Sequence, residues 1–367
     1  VTAPLAVFAL TYFLIAVQRV RWLHLNRPAA ALLGAVGMVT IGGLPLTDAY
    51  AAIDLDVLVF LLGLMILVGH LELGGFFEAA AVWMLGVART PRILLVLVVL
   101  GSGLLSALFV NDTVCLVFTP ILVAALAPLE IRLTPYLVGL ATGANVGSAL
   151  TIVGNPQNML IGLWSGIGFA EFAWRMLVPV IGGLALTAVI LLWIYRHDLG
   201  RPLGPIRRPE LPPVDRRLVA TALLLFALAL GCWLAGLSLP LVAVATGALM
   251  LALAGRHPGP ALERVEWELL LLFAALFVVT RGLQSSGAVA ALDPGLAANV
   301  SLGGEWSTAL AVSGGMLVLS NLVGNVPAVL LWRDVVPQLP EPQFVWQVMA
   351  LASTFAGNLL LIGSMAN

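Results

Sequence analysis

The stretch Gly143–Gly162, GANVGSALTIVGNPQNMLIG, constrains this chain more than any other. It lies inside a long apolar run, yet it carries Asn145, Ser148, Thr151, Asn155, Gln157 and Asn158, together with the helix breakers Gly154 and Pro156. In hydrocarbon every unmade backbone hydrogen bond is costly, so unwound backbone persists only against protein or a water-filled cavity. The stretch is expected to be a membrane helix interrupted near mid-depth, with freed amides and carbonyls turned towards a solute or an ion. The alternative is a kinked helix whose amides bond neighbouring spans.

Composition sets the surroundings. Of 367 residues, 61% are hydrophobic and 10% charged, more apolar surface than a soluble domain can bury. The apolar runs are long and continuous, unlike the alternating segments of a β-barrel, so the fold class is an all-α polytopic membrane protein. A net charge of −1 points to no particular partner, and no basic cluster suits nucleic acid. Cys115 and Cys232 both sit in apolar runs and read as packing residues. No HxxxH or CxxC pattern occurs, so neither a metal site nor a cofactor is expected.

The apolar runs divide into spans at 4–20, 29–46 and 57–71, followed by a glycine-led segment, Gly74–Ala88, expected at the membrane interface. The run 93–126 is too long for one span and is interrupted by Asn111-Asp112-Thr113, which predicts a re-entrant helical hairpin with that triplet at its tip. The broken helix at 136–163 and a span at 172–193 complete a first unit, 1–195. Residues 196–217 hold six arginines and five prolines and form a solvated linker. A second unit, 218–367, has spans at 218–237, 239–254 and 269–283, a hairpin at 307–336 interrupted by Asn321 and Asn325, and a second broken helix at 345–367. All 17 basic residues are arginine, and most fall in loops that alternate correctly if the linker is cytoplasmic. The acidic Asp48–Asp56 loop then faces outward. The first hairpin enters from the cytoplasm and the second from outside.

The two units match at near-constant offset. Adding 212 carries Leu58, Leu64, Leu71 and Gly75 onto Leu270, Leu276, Leu283 and Gly287. Adding 214 carries Leu105, Ser106, Leu108, Asn111 and Leu116 onto Leu319, Ser320, Leu322, Asn325 and Leu330. Adding 209 carries Leu150, Gly154 and Asn158 onto Leu359, Gly363 and Asn367. Counting spans makes the two units opposite in membrane orientation. An inverted repeat of this kind predicts an alternating-access transporter with its site where the repeats meet. The second unit stops in the equivalent of the first break, so the native chain is expected to continue past Asn367.

Four segments resemble the ion transporter superfamily: SALFVNDTVCLVFTP (Ser106–Pro120), the Gly143–Gly162 stretch, SNLVGNVPAVLL (Ser320–Leu331) and AGNLLLIGSMAN (Ala356–Asn367). Within it they are most similar to the arsenite/antimonite efflux permeases and the plant silicon efflux transporters. The divalent anion–sodium symporters are a more distant resemblance. Those carry Ser-Asn-Thr at both tips, where this chain reads Asn111-Asp112-Thr113 and Gly324-Asn325-Val326. The resemblance implies a scaffold domain plus a transport domain that moves as an elevator, and a homodimer.

The candidate binding residues follow from the breaks and tips. They are Asn111, Asp112, Thr113, Asn145, Ser148, Gly154, Asn155, Pro156 and Asn158 in the first unit, and Ser320, Asn325, Pro327, Thr354, Asn358, Gly363 and Asn367 in the second. Their neutral amides and hydroxyls suit an uncharged polyhydroxy solute, or an oxyanion held at half-helix N-termini. A carboxylate at bilayer depth costs at least about 2.5–3.5 kcal/mol unless paired, hydrated or protonated. The second-unit position matching Asp112 is Val326, so the fold does not require the charge there. Asp112 is therefore the candidate for the coupling proton, the alternative being a carboxylate that caps the following half-helix. Arg281 is the arginine closest to the membrane interior and is expected to snorkel. His70 and Glu72 are expected at the interface.

The expected activity is export of a small inorganic solute, arsenite/antimonite or silicate, by proton antiport across the inner (plasma) membrane. Sodium-coupled uptake of an anion such as a di- or tricarboxylate or sulfate, or sodium/proton antiport, are the alternatives. No nucleophile–base pair or metal cluster suggests an enzyme. No ATP-binding motif occurs, and a peripheral ATPase subunit is a candidate partner.

Overall fold

The computed structural model describes residues 2–17, 25–129, 131–200, 213–287 and 304–359, and the regular elements among them are all helices. Seven of these are long and apolar enough to cross a membrane: Leu55–Leu73, Pro91–Leu108, Asn111–Leu129, Phe169–Ile194, Arg216–Leu234, Trp267–Ser285 and Gly304–Val323. The chain is a multi-pass membrane protein. Its α-helices up to the linker are α1 (Thr2–Val17), α2 (Arg27–Thr40), α3 (Leu46–Ala52), α4 (Leu55–Leu73), α5 (Phe76–Val87), α6 (Pro91–Leu108), α7 (Asn111–Leu126), α8 (Thr134–Ser148), α9 (Pro156–Ser165) and α10 (Phe169–Ile194). After the linker come α11 (Arg216–Leu234), α12 (Leu239–Leu253), α13 (Gly259–Glu263), α14 (Trp267–Ser285), α15 (Gly304–Val323), α16 (Asn325–Trp332) and α17 (Pro342–Ala356).

Polar residues set several of the helix starts. Asn26, Thr90 and Asn155 accept the amides of Ala29, Ile93 and Asn158 at 3.0, 3.2 and 2.9 Å, each with a proline in the first turn that follows. Asp54 and Asp215 cap α4 and α11 in the same way, through the amides of Val57 and Leu218. Each cap satisfies an N–H that the helix leaves unpaired and contributes about 1 kcal/mol.

The helices pack as two bundles. One gathers α1–α4 with α11–α14: α4 lies on α12, α2 on α14, α1 on α2 and α11 on α12, while α3 packs against α14 and α13 against α4. The other gathers α6–α10 with α15–α17: α6 lies on α8, α15 on α17, α10 on α8 and α9 on α17. Small residues let the closest pairs meet. A Cβ on Gly63 would strike the Ala243 backbone, and one on Gly147 the Gly103 backbone. The bundles touch where α4 meets α9 and α14 meets α16, and α5 bridges α4 to α7. The outer face of α10 exposes Trp174, Val178, Ile181, Val189 and Trp193, which suits a helix lying against lipid.

Several expectations are refined. The triplet Asn111–Thr113 is not the turn of the first hairpin. The chain turns at Phe109–Val110, and the triplet opens α7. The physical reason is that Phe109 and Val110 are buried, with the Phe109 ring 5.5 Å from Phe77 and 5.0 Å from Phe226, whereas a helix's first turn offers free N–H groups and a positive dipole to Asn and Asp. At the second hairpin Gly324 makes the turn with φ 95°, a left-handed conformation that favours glycine, and Asn325 opens α16. The segment expected at the interface, Gly74–Ala88, contains α5, which buries Phe77, Ala81, Met84 and Leu85. His70, in the last turn of α4, is buried, with Nδ1 2.7 Å from the Ile66 carbonyl oxygen. Glu72 forms an ion pair with Arg264. In the second broken helix, α17 ends at Ala356 and the chain turns through 357–359.

Candidate functional site

The break between α8 and α9 is held open by the polar residues that interrupt the apolar run. Asn158 Nδ2 donates to the carbonyl oxygens of Ser148, Ala149 and Thr151 at 3.3, 3.3 and 3.0 Å, groups that α8 frees by ending there. Asn155 Nδ2 donates to Ser148 Oγ at 2.9 Å, and Ser148 Oγ donates to the Asn145 carbonyl at 2.7 Å. Thr151 Oγ1 donates to the Ala107 carbonyl on α6. Leaving one such buried group without a partner would cost about 1–3 kcal/mol. The Gly154 carbonyl accepts from the Asn111 amide at 3.1 Å, which seats the start of α7 on the break. A Cβ at Gly154 would strike the carbonyl oxygens of Ser148 and Ser106, so only glycine fits this joint.

The second half of the chain closes the same network. Asn145 Nδ2 donates to the Thr354 carbonyl at 2.7 Å and to Asn358 Oδ1 at 2.9 Å. Asn155 Nδ2 and Gln157 Nε2 each reach Thr354 Oγ1 at 3.3 Å. Asn145, Ser148, Asn158 and Thr354 are fully buried, a polar core joining the two broken helices.

Beside this core lies a cavity of about 110 Å³ between the two bundles. Asn111 and Asp112 of α7 and Pro156 and Gln157 of α9 form one wall, and Asn321 with Gly324–Pro327 form the next. The facing wall is apolar, made by Leu269, Leu272, Phe273 and Leu276 of α14, with Tyr12 of α1 and Arg27 of α2 at its edge. Asp112 is half-buried, and no described residue holds its carboxylate by a hydrogen bond or an ion pair. The charges that bear on it are Glu266 and Arg27. Towards the starts of α2 and α14 the cavity meets a groove of about 730 Å³, lined by Asn26, Arg27, Glu266 and Glu268. Glu266 lies just ahead of its span, exposed at the rim of the groove, where the protein around it displaces enough water to raise its carboxyl above the usual carboxylate range. Among the described residues several buried oxygens near the tips lack a hydrogen-bond partner: Asn111 Oδ1, Asn321 Oδ1, and the hydroxyls of Ser106 and Ser320, which occupy matching positions in the two units. Such acceptors call for a donor or a cation.

Of the residues expected at the site, Asn111, Asp112, Pro156, Asn325 and Pro327 line the cavity. Asn145, Ser148, Asn155, Asn158, Thr354 and Asn358 stand behind it in the polar core, and Gly154 seats the first tip. Thr113 sits half-buried on α7 and Ser320 is buried on α15, neither at the cavity wall. Gly363 and Asn367 lie outside the described residues. Cys115 is buried and does not line the cavity. Sequence reasoning missed Arg27, Gln157, Asn321 and the apolar wall of α14. Arg27 carried a usable signal, since it directly precedes Pro28 and so opens its helix rather than floating in a loop. Arg281 is elsewhere, in a separate cavity of about 320 Å³ with Asp48, Arg333 and Asp334.

A multi-pass protein in which two helix tips and a broken helix converge on a cavity between two helical bundles has the architecture of a membrane transporter. The particular family follows from comparison with known proteins: a family model described as citrate transporter, CitMHS, matches residues 12–356, and the chain belongs to this family. The chain is 29% identical to the silicon efflux transporter LSI3 of Oryza sativa subsp. japonica, over 98% of its own length and 87% of the relative's. It is 24% identical to the putative transporter arsB of Dictyostelium discoideum, over 94% of this chain and 81% of that one. It is 32% identical to the inner membrane protein YbiR of Escherichia coli K12, over 86% of this chain and 79% of that one.

Proposed function

We propose that this transporter exports a small inorganic solute or oxyanion of the arsenite or silicate type in exchange for protons, by alternating access. The observation that carries the reading is the cavity itself. It has room for a solute of a few heavy atoms, neutral amide groups on one side, an apolar wall on the other, and a single carboxylate, Asp112, that no described residue pairs. A carboxylate in that position repels a polyanion and suits a neutral polyhydroxy solute, or a proton that enters as the solute leaves. The names of the silicon efflux and arsB relatives support the same solute class.

The reading includes two inverted halves, and the reciprocity of the packing supports it. Where α2 meets α14, α4 meets α12; where α3 meets α14, α13 meets α4; and α6 on α8 matches α15 on α17. Asn145 and Thr354, which bond one another, are separated by 209, the offset that relates the two broken helices. Residues related by a two-fold axis touch only near that axis, so the polar core lies on it. In this reading the α1–α4/α11–α14 bundle is the scaffold of a homodimer in the inner membrane, and the hairpin bundle moves against it as an elevator. The linker and the Arg27 mouth face the cytoplasm.

A second reading, sodium-coupled uptake of a di- or tricarboxylate, is favoured by Arg27 at the cavity edge and by the family's description. Flux in proteoliposomes separates the two. Arsenite, silicate, phosphate-like oxyanions and citrate are offered under imposed proton or sodium gradients. Accumulation of arsenite or silicate driven by a proton gradient is the expected result. Sodium-driven citrate uptake without any pH dependence would replace the first reading with the second.

A further inference from the structure

We propose that Asp54, Arg333 and Trp164 form a latch that keeps the face opposite the Arg27 mouth closed, and that its release is a step of the transport cycle; this rests on the alternating-access reading above. Asp54 Oδ2 accepts from Trp164 Nε1 at 2.9 Å and lies 3.3 Å from Arg333 Nη2. The Arg333 guanidinium stands 4.5 Å from the centroid of the Trp164 ring, so each member touches the other two. Asp54 precedes α4 in one bundle, whereas Trp164 ends α9 and Arg333 follows α16 in the other. The two contacts of Asp54 therefore bind the bundles together at one edge, and the stacking of Arg333 on Trp164 holds its two partners in place. The Trp164 ring also lies 6.5 Å from Phe277 of α14 and 6.3 Å from Trp346 of α17, which closes the joint with apolar surface.

The opposite edge differs in the corresponding place. Adding 212 to Asp54 gives Glu266, which precedes α14 as Asp54 precedes α4. Glu266 lines the open groove at the Arg27 mouth and makes no ion pair among the described residues. One edge is clamped and its counterpart is open, as alternating access requires of any single state. On the latch side the second cavity, lined by Phe277, Thr280 and Arg333, begins at the residue that follows Leu276, which lines the first. Opening the latch would join the two.

The test reads access directly and does not depend on knowing the solute. Leu276→Cys is placed in a Cys115→Ala, Cys232→Ala background, and a membrane-impermeant maleimide is added to either face of oriented vesicles. With the latch intact, labelling is fast from the Arg27 face and slow from the latch face. Asp54→Asn keeps the α4 cap, because Asn caps as well as Asp, and removes the charge that holds Arg333. Its latch-face rate is expected to rise about tenfold, equivalent to about 1.4 kcal/mol. Trp164→Phe, which keeps the ring and loses the N–H, raises the same rate by a smaller factor. Arg333→Gln matches Asp54→Asn, and the double variant adds nothing further, as members of one contact should. Slow latch-face labelling that stays unchanged in all three single variants would overturn the latch while leaving alternating access standing. If no protein, latched or not, is labelled from that face, alternating access and the latch both fall.

Discussion

At the first tip α7 opens with Asn111-Asp112-Thr113; at the second, α16 opens with Asn325-Val326-Pro327. Both tips point their first turn at the same cavity, and both follow a helix that carries a buried serine, Ser106 or Ser320. They differ in what they carry. The first rests on Gly154 of the neighbouring break through a backbone hydrogen bond and presents a carboxylate. The second turns on Gly324, with Asn321 of the preceding helix donating to the Ala356 carbonyl at 3.2 Å, and presents a valine. Since the same architecture is built with and without the charge, a helix start at this position does not require Asp112, in keeping with the role proposed for it in the cavity.

Substitutions can break this comparison at different depths. The two glycines should respond differently. Gly154→Ala drives a Cβ into two carbonyl oxygens, and its expected cost is about 3 kcal/mol, at the upper end for overpacking. Gly324→Ala meets nothing closer than 3.6 Å and suffers only from its positive φ with extended ψ, a region almost confined to glycine, at about 1–3 kcal/mol. Thermal unfolding of the two purified variants in detergent would rank them, and a larger loss at Gly324 would contradict the tighter packing around Gly154. Asn145→Ala comes next. It leaves the Thr354 carbonyl without the donor described above, at about 1–3 kcal/mol. Asn145→Ser should recover little, because a shorter side chain does not span the same gap.

Smaller effects concern the solute. Arg27→Gln should raise the KM of an anionic solute about tenfold, about 1.4 kcal/mol, and leave that of a neutral one unchanged. A uniform loss for both would place Arg27 in the fold and not in recognition. Val326→Thr adds a hydroxyl at the uncharged tip and should change transport less than twofold, the smallest effect of the set.

The tips and the first break were legible in the sequence because polar residues inside a membrane run are costly and therefore placed for a reason. Asn155 with Pro156, and Gly324 with Asn325, announce their helix starts locally. The exact turn at Phe109–Val110 was not legible, because two apolar residues inside an apolar run look like helix. Arg27 was hidden by its position: an arginine at the end of a span reads as an orientation signal, and only the approach of α14 and α7 turns it towards a cavity. The joint of Asp54 with Trp164 and Arg333 depends on contacts between remote segments, which no local pattern encodes. The same holds for the role of the asparagines. Local chemistry marked Asn145, Asn155 and Asn158 as polar groups in need of partners, and the fold decides that those partners are other protein groups.

The central claim is that Asp112 carries the coupling proton. Its most direct test is accumulation of arsenite or silicate in proteoliposomes under an imposed pH gradient, for the native protein and for Asp112→Asn. The account predicts that the native protein accumulates solute against its gradient. The variant should only equilibrate it, with solute exchange at zero gradient retained. Full pH-driven accumulation by Asp112→Asn would contradict the account and return Asp112 to the role of a helix-capping carboxylate.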